Sequence, residues 1–498
     1  MRPLLQSQPY YLHYIPGEIA LYVEHDPDLS PEGIHAGLRA HSLVRRDRHL
    51  RAALQQPPRL VTFPDPQQSA SLAFMPVDTI GAEDHANWGR WVADLTAQFD
   101  GVPVTSGGTT PRAGTLNWLA SGVPDSNPDG VGGPAAWPIP YENASRASED
   151  STRHAWEFSL PLDLGADQRG AGVQVAVLDT APDPADLERA LAAWPDHPLL
   201  RTLLGPHGRL CTWYAGYTHL LQRVDYGLPG HPYVLSDHGL FSAGIIHAIA
   251  PEASIELVEV LNPYGAGTLE TLAAGLAHVA TREATGAPLV VNCSWVLNLP
   301  HPDRHAHATQ DHPVYQFLDP DALKRMSHPL EWICDRLERQ HVVLVAASGN
   351  DTAVAERSPA PPRYPAAYKS VVGVGALEHG DVPATYSNRA DDPLRQGIAT
   401  LGGGIRHAAA GWLTDPRTGI LSAYTGAFPT GGRSTNGWAR WSGTSFATPI
   451  VSGALAALLS EGGSKGKGHA DPAAALDAIH ATTAKQTPIG GAFVVRQG

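Results

Sequence analysis

The 498-residue sequence is poor in cysteine, lysine and long apolar runs, and each scarcity excludes something. Cys211, Cys293 and Cys334 are odd in number, far apart and form no Cys-x-x-Cys pair. That argues against a disulfide framework and against a cysteine-based zinc site. Lysine is confined to positions 324, 369, 465, 467 and 485. Asp and Glu number 49 against 35 Lys and Arg, a formal net charge of −14. So acidic a chain lacks the electrostatic footprint of a nucleic-acid binder. No run of about 18 apolar residues occurs, so no membrane-spanning helix and no membrane partner are expected. Met1 to Glu24 lacks a basic stretch followed by an apolar core and a small-residue cleavage site. No secretory signal is read there, and a cytoplasmic location is expected.

What is present suits a folded protein: 43% of residues are hydrophobic and 17% charged. The length exceeds one ordinary core and predicts two domains. Residues 1–120 read as a small α+β domain. Ile19–Val23, Arg59–Phe63 and Ser71–Met75 look like strands, and Pro31–Val44 and Trp88–Phe99 like amphipathic helices. Residues 121–154 are rich in Gly, Pro, Ser, Asn and Asp and read as a linker. From 155 to 498, apolar strands alternate with helices. The strands are Val173–Leu178, Ile255–Val260, Leu289–Asn292, Val342–Ala346 and Val371–Val374; helices are read at 241–249, 269–283 and 330–339. This alternation predicts an α/β domain with a mainly parallel sheet, whose site lies at the carboxyl ends of the strands.

Four polar residues fall at such ends or at helix starts. Asp179 follows the strand ending at Leu178; alone, it reads equally as a turn former. His238 stands with Gly239 before an apolar helix; alone, it reads as a core histidine. Asn350 closes Ala346-Ala347-Ser348-Gly349-Asn350, where a turn asparagine is the plain alternative. Ser445, in Gly443-Thr444-Ser445-Phe446-Ala447-Thr448-Pro449, precedes an apolar helical run and reads alone as a helix cap.

Taken together, the order Asp, His, Ser is one of three chain orders known for a serine-nucleophile triad. The flanking motifs agree: Val175-Ala176-Val177-Leu178-Asp179-Thr180, His238-Gly239, Val291-Asn292-Cys293-Ser294, Tyr364-Pro365-Ala366-Ala367-Tyr368 and Gly443 to Pro449. Over roughly residues 155–485 the chain resembles the subtilisin-like serine peptidases. The resemblance implies a three-layer α/β fold and an endopeptidase acting on polypeptides without a cofactor. It implies Ser445 as nucleophile, His238 as base, Asp179 as its orienting partner and Asn350 as oxyanion donor. It also implies that Gly265-Ala266-Gly267 and Ser294-Trp295-Val296 sandwich an extended substrate, with Ser348 and Gly349 alongside. Residues 1–120 are then a candidate propeptide-like inhibitor, or a docking region for a regulatory protein.

Some positions depart from the family pattern. Ala181-Pro182 replaces a usual glycine after Asp179-Thr180, and strain is expected if that glycine has positive φ. Val296 replaces a glycine that borders the pocket for P1, the residue before the scissile bond, and predicts a narrower pocket. Ile246 to Pro251 runs through without the insertion that carries a calcium site in secreted relatives. His301, His305 and His307, with His312 and His328, make a histidine-rich segment, read as a solvated loop rather than a metal site. An alternative function is a catalytically impaired pseudoprotease serving as a binding module.

Overall fold

The computed structural model describes residues 14–80, 84–99, 104–121, 136–141, 155–204, 210–211, 235–281, 287–300, 316–352, 358–391, 397–408, 411–428, 431–460, 471–483 and 485–498. Among them no helix is long and apolar enough to cross a membrane.

The described residues between 14 and 121 build four strands of an antiparallel sheet, with helices in the order β-α-α-α-β-β-α-β. The strands are β1 (Tyr14–His25), β2 (Arg59–Phe63), β3 (Ser69–Pro76) and β4 (Thr109–Ser121), arranged β4-β1-β3-β2. Helix α1 (Pro31–Ala40) starts at the Ser30 cap, with Pro31 in its first turn. The helix expected to run to Val44 breaks at His41, which is extended and whose ring caps a second short helix. Helix α2 spans His85–Ala97. β4 is not legible in the sequence, because Pro111 and Gly114 interrupt its pattern. The pairing accommodates that irregularity with a register shift at Val23 and Pro111.

Within 121–154, Ala136–Tyr141 is described and contains strand β5 (Ile139–Pro140). Beyond it lies a mainly parallel sheet. Six of its strands are β6 (Gln174–Asp179), β7 (Ser254–Glu259), β9 (Leu289–Cys293), β11 (Val343–Ala347), β12 (Val371–His379) and β13 (Ile398–Leu401). They stand in the order β13-β12-β11-β9-β6-β7. Two short strands, β8 (Ala266–Thr268) and β10 (Val296–Leu297), lie outside this sheet. The two faces explain the continuous apolar runs: Ala176 and Leu178 join one core, whereas Val175 and Val177 join the other.

One face carries α3 (His238–Ile249) and α6 (Thr444–Leu458), which pack on each other. Gly453 lets them approach; a Cβ there would sit 3.0 Å from Ile249 Cβ. The opposite face carries α4 (Leu269–Ala280) and α5 (Pro320–Arg339), and the N-terminal sheet packs on these two helices. α5 starts ten residues before the expected start, at the Asp319 cap, and runs through Pro329.

Apolar contact and charge both hold the N-terminal sheet. Tyr22 meets Trp332 edge-on, with ring centroids 5.1 Å apart. Arg59 donates to both oxygens of Glu270, at 2.7 and 2.8 Å, and to Glu18 at 3.1 Å. The carboxylates of Glu18 and Glu270 are buried, and these bonds raise the Arg59 pKa further above its ordinary value. Asn117 on β4 donates to Glu18 and accepts from the Glu270 backbone N–H at the start of α4.

From β6 the chain passes through α3 to β7 on one flank, and later reaches β9 on the other. The carboxyl end of β6 is therefore the topological switch point of the sheet, where such folds place ligands.

Candidate active site

Asp179 is the last residue of β6 and is fully buried. Its carboxylate accepts from His238 Nδ1, at 2.8 Å to Oδ1 and 2.9 Å to Oδ2. The Thr180 N–H, 2.6 Å from Oδ1, fixes the carboxylate further. Nδ1 donates to the carboxylate, which points Nε2 away from Asp179.

His238 opens α3, and Thr180 ties that helix start to the strand end. Its hydroxyl donates to the Leu235 and Ser236 carbonyls, at 3.1 and 2.9 Å, and accepts from Gly239 N. Gly239 is required by close approach: a Cβ there would lie 2.2 Å from the Thr180 carbonyl oxygen. Asp237, just before the histidine, accepts from the Thr425 N–H, from Thr425 Oγ1 at 2.9 Å and from Gly426 N at 2.8 Å. Burial pushes the Asp237 pKa up, and these bonds partly offset it.

Ser445 is the second residue of α6, in the first turn. The reading of Ser445 as the helix cap is corrected here: Gly443 is the N-cap, and no side chain caps the helix. Ser445 Oγ donates to the Ser294 carbonyl at 3.3 Å, and Ser294 Oγ donates back to the Ser445 carbonyl at 2.7 Å. Asn292 Nδ2 holds Ser294 Oγ at 2.9 Å and, through Oδ1, accepts from Ser452 at 3.0 Å. This chain of bonds locks the end of β9 onto α6.

Asn350 faces the same turn. Its Oδ1 accepts from Thr444 N and Thr444 Oγ1. A Cβ on Gly443 would lie 3.7 Å from Asn350 Nδ2, so that donor stands over the turn leading to Ser445. Ser348 and Gly349 lie beside it, held by Asn388 Nδ2, which donates to the Ser348 carbonyl at 3.1 Å. Gly349 has φ +104°.

Aromatic rings wall the imidazole. Trp441 meets it edge-on at 5.2 Å and Phe446 lies at 5.0 Å. His238, Ser445 and Trp441 are all buried.

The two segments expected to flank a substrate stand on either side of β4. Thr268, Gly267 and Ala266 pair with Leu119, Ala120 and Ser121. Leu297 and Val296 pair with Ala120 and Ser121 on the other side. Both pairings are antiparallel, so the end of β4 is the middle strand of three. Gly265 turns into β8 with φ +75°, Trp295 is buried and Val296 is half-buried.

Other expectations fare differently. Ala181 carries no positive-φ strain: among the described residues His341 is the one non-glycine residue with positive φ. Of the histidine-rich segment, residues 301–312 lie outside the described residues, and His328 stacks on Trp332 within α5 at 5.5 Å. Thr180, Asn292, Asn388, Asp237, Trp441 and Phe446 have no role legible in the sequence alone. Trp441 carried a signal in its place four residues before Ser445; Asn388 carried none. Cys293 and Cys334 are buried free thiols, and burial raises both pKa values, so they act as packing groups.

The chain is 30% identical over 231 residues to the minor extracellular protease Epr of Bacillus subtilis (strain 168), covering 44% of this chain and 26% of that protein. The chain thus spans about a quarter of that relative's length. It is also similar to the solved structure of a serine-to-alanine mutant of the protease domain of PatA. That match has 24% identity and a TM-score of 0.37, and covers 62% of this chain and 86% of the other. The sequence profile of the subtilase family matches residues 170–494. The chain belongs to the subtilase family, with its α/β subtilisin-like fold.

Proposed function

We propose that this chain is a serine endopeptidase that hydrolyses peptide bonds through Asp179, His238 and Ser445, and that its N-terminal sheet holds it latent. The observation that carries the reading is the gathering of an Asp–His pair, a helix-mouth serine and an amide donor at the switch point of one sheet.

Each residue has a chemical role. His238 Nε2 takes the Ser445 proton as Oγ attacks the scissile carbonyl. The Ser445 hydroxyl donates to the Ser294 carbonyl, and this bond breaks before the proton passes to His238. Asp179 holds the imidazole in one tautomer and stabilises the imidazolium without taking the proton. Asn350 Nδ2 and the Ser445 N–H, at the positive end of α6, stabilise the oxyanion. His238 then protonates the leaving amine, the C–N bond breaks, and water hydrolyses the acyl-enzyme by the same steps.

The pairing of Leu119–Ser121 between β8 and β10 supports inhibition from within. Main-chain pairing of this kind is how a sheet edge captures an extended peptide. While β4 lies there, no substrate can. Val296 next to this strand supports a preference for small P1 side chains.

The test uses a full-length chain carrying a specific protease recognition sequence within residues 122–135. Cutting there and displacing the N-terminal piece is expected to raise hydrolysis of a quenched peptide, and Ser445→Ala abolishes that gain. No hydrolysis after displacement overturns the peptidase reading. Equal hydrolysis before and after overturns the inhibition.

A further inference from the structure

A second segment of the chain, Ala136–Tyr141, is bonded to the ring that meets His238. We propose that Ala136–Pro140 is a strap across the leaving-group side, separate from the β4 block and released separately. The inference rests on the peptidase reading above.

The leaving amine takes its proton from His238, so the leaving-group side is the side of the imidazole. That side is walled by Trp441 and Phe446. Trp441 ends strand β14 (Trp438–Trp441), which runs directly into Gly443-Thr444-Ser445. One edge of β14 pairs with Ile420–Ala423. The strap covers the other edge: Arg440 pairs with Ile139, and Ala439 with Pro140, antiparallel. The indole N–H of Trp441 donates to the Ala136 carbonyl at 2.7 Å. The ring that touches the base is thereby tied to the strap.

Both ends of the strap are anchored. Trp137 exchanges main-chain bonds with Trp412 and Thr414, each at 3.1 Å. Asn436 Nδ2 donates to the Tyr141 carbonyl at 2.7 Å, and the Arg440 guanidinium lies 5.3 Å above the Tyr141 ring. Ala136, Pro138 and Ile139 are buried. Between the anchors the pairing is weak by design of sequence: Pro138 and Pro140 have no N–H to give to β14. The strap is an occupant that gives up ladder bonds and can therefore be displaced by a peptide that makes them.

The two blocks compete with different parts of a substrate. β4 competes with residues before the scissile bond. The strap competes with residues after it. Displacing the N-terminal piece frees the first side only. The enzyme then handles a substrate whose leaving group is a single aryl amine better than one that continues for several residues.

The test places cysteines at the directly opposed pair Ile139 and Arg440 in the full-length chain with the cleavable 122–135 segment. After cutting and displacement, two substrates with one acyl sequence are compared: an aryl amide, and a peptide extended by three residues past the scissile bond. Oxidation of I139C/R440C is expected to lower kcat/KM for the extended peptide at least about tenfold, since a tethered competitor acts at high effective concentration. The aryl amide changes little, and reductant restores the extended peptide. The reduced form is the folding control. As an independent variant, Trp137→Ala keeps the main-chain bonds but removes the indole packed against the core, which loosens the strap and is expected to raise kcat/KM for the extended peptide alone. Equal effects on both substrates, or none on the extended peptide, overturn the strap. Failure of the wild-type sequence to hydrolyse either substrate overturns the peptidase reading, and the strap with it.

Discussion

Asn350 Oδ1 accepts two bonds from Thr444, at 3.0 Å from its N–H and 2.9 Å from its hydroxyl. One residue before the nucleophile thus sets which way the amide faces, and the donor nitrogen is left for the oxyanion. Asn350→Asp keeps the acceptor and removes the donor. Turnover should fall about 10²–10³-fold, the scale seen when a comparable asparagine is removed from subtilisin. KM should change little, because the donor acts on charge that develops in the transition state. Steady-state kinetics on the displaced, cut protein checks this.

Gly239→Ala should be destabilising far beyond an ordinary surface change. The added carbon would stand 2.2 Å from a backbone oxygen of Thr180, and backbone cannot rotate aside. Overpacking of this kind costs about 1–3 kcal/mol or more. Because the clash lies between Asp179 and His238, activity should fall with the melting temperature. Calorimetry and peptide hydrolysis on one preparation measure both.

Arg59→Met leaves Glu18 and Glu270 facing each other without a cation. A fully buried pair broken this way costs about 3–5 kcal/mol. The Arg59 side chain is 42% exposed, so solvent screens part of the loss and about 1–3 kcal/mol is expected. The readout is local: faster displacement of the N-terminal piece after cutting, and higher peptide hydrolysis. A drop in overall stability without faster displacement counts against this interface as the clamp.

His197 predicts an acid-sensitive element beside β14. Its Nε2 bonds the Gly437 carbonyl at 2.9 Å, Nδ1 accepts from Leu200 N at 3.2 Å, and the ring stacks on Trp438 at 4.0 Å. Burial lowers its pKa from 6.5 to about 4. The folded form therefore holds the neutral ring where the unfolded chain is protonated. Its stability contribution is complete above pH 6.5 and is lost as pH falls from 6.5 to about 4. The total is of the order of 3 kcal/mol. His197→Gln should flatten that limb of the stability–pH curve in urea titrations, and an unchanged slope would assign it elsewhere.

Val296→Gly should widen the pocket beside the end of β4. A side-chain-sized change in such a pocket is worth about 1–3 kcal/mol. Substrates with aromatic P1 residues should gain about tenfold or more in kcat/KM, with small P1 residues little affected. Wild-type preference for bulky aromatic P1 residues would contradict the narrowing.

Much of the parallel sheet was legible, because strands buried on both faces read as short apolar runs between helices. Asp179, His238, Asn350 and Ser445 were legible as a set because each stands at a strand end or helix start. β4 was not: its pattern is broken by Pro111 and Gly114, and its stability comes from β1 and from α4 and α5, far away in sequence. α5 was foreshortened because Pro329 reads locally as a stop, whereas packing on the N-terminal sheet carries the helix through it. The strap reads as linker because Pro138 and Pro140 look like loop; its partners, Trp412, Thr414 and β14, lie some 270–300 residues further on.

The most direct measurement is covalent labelling. The cut protein, with its N-terminal piece displaced, is treated with a fluorophosphonate and the adduct is mapped by peptide mass spectrometry. The expected result is one adduct on Ser445, lost in Ser445→Ala and strongly slowed in His238→Ala and Asp179→Asn. Absence of labelling on a folded, displaced protein, or labelling at another residue, would contradict a Ser445 nucleophile activated by His238 and Asp179.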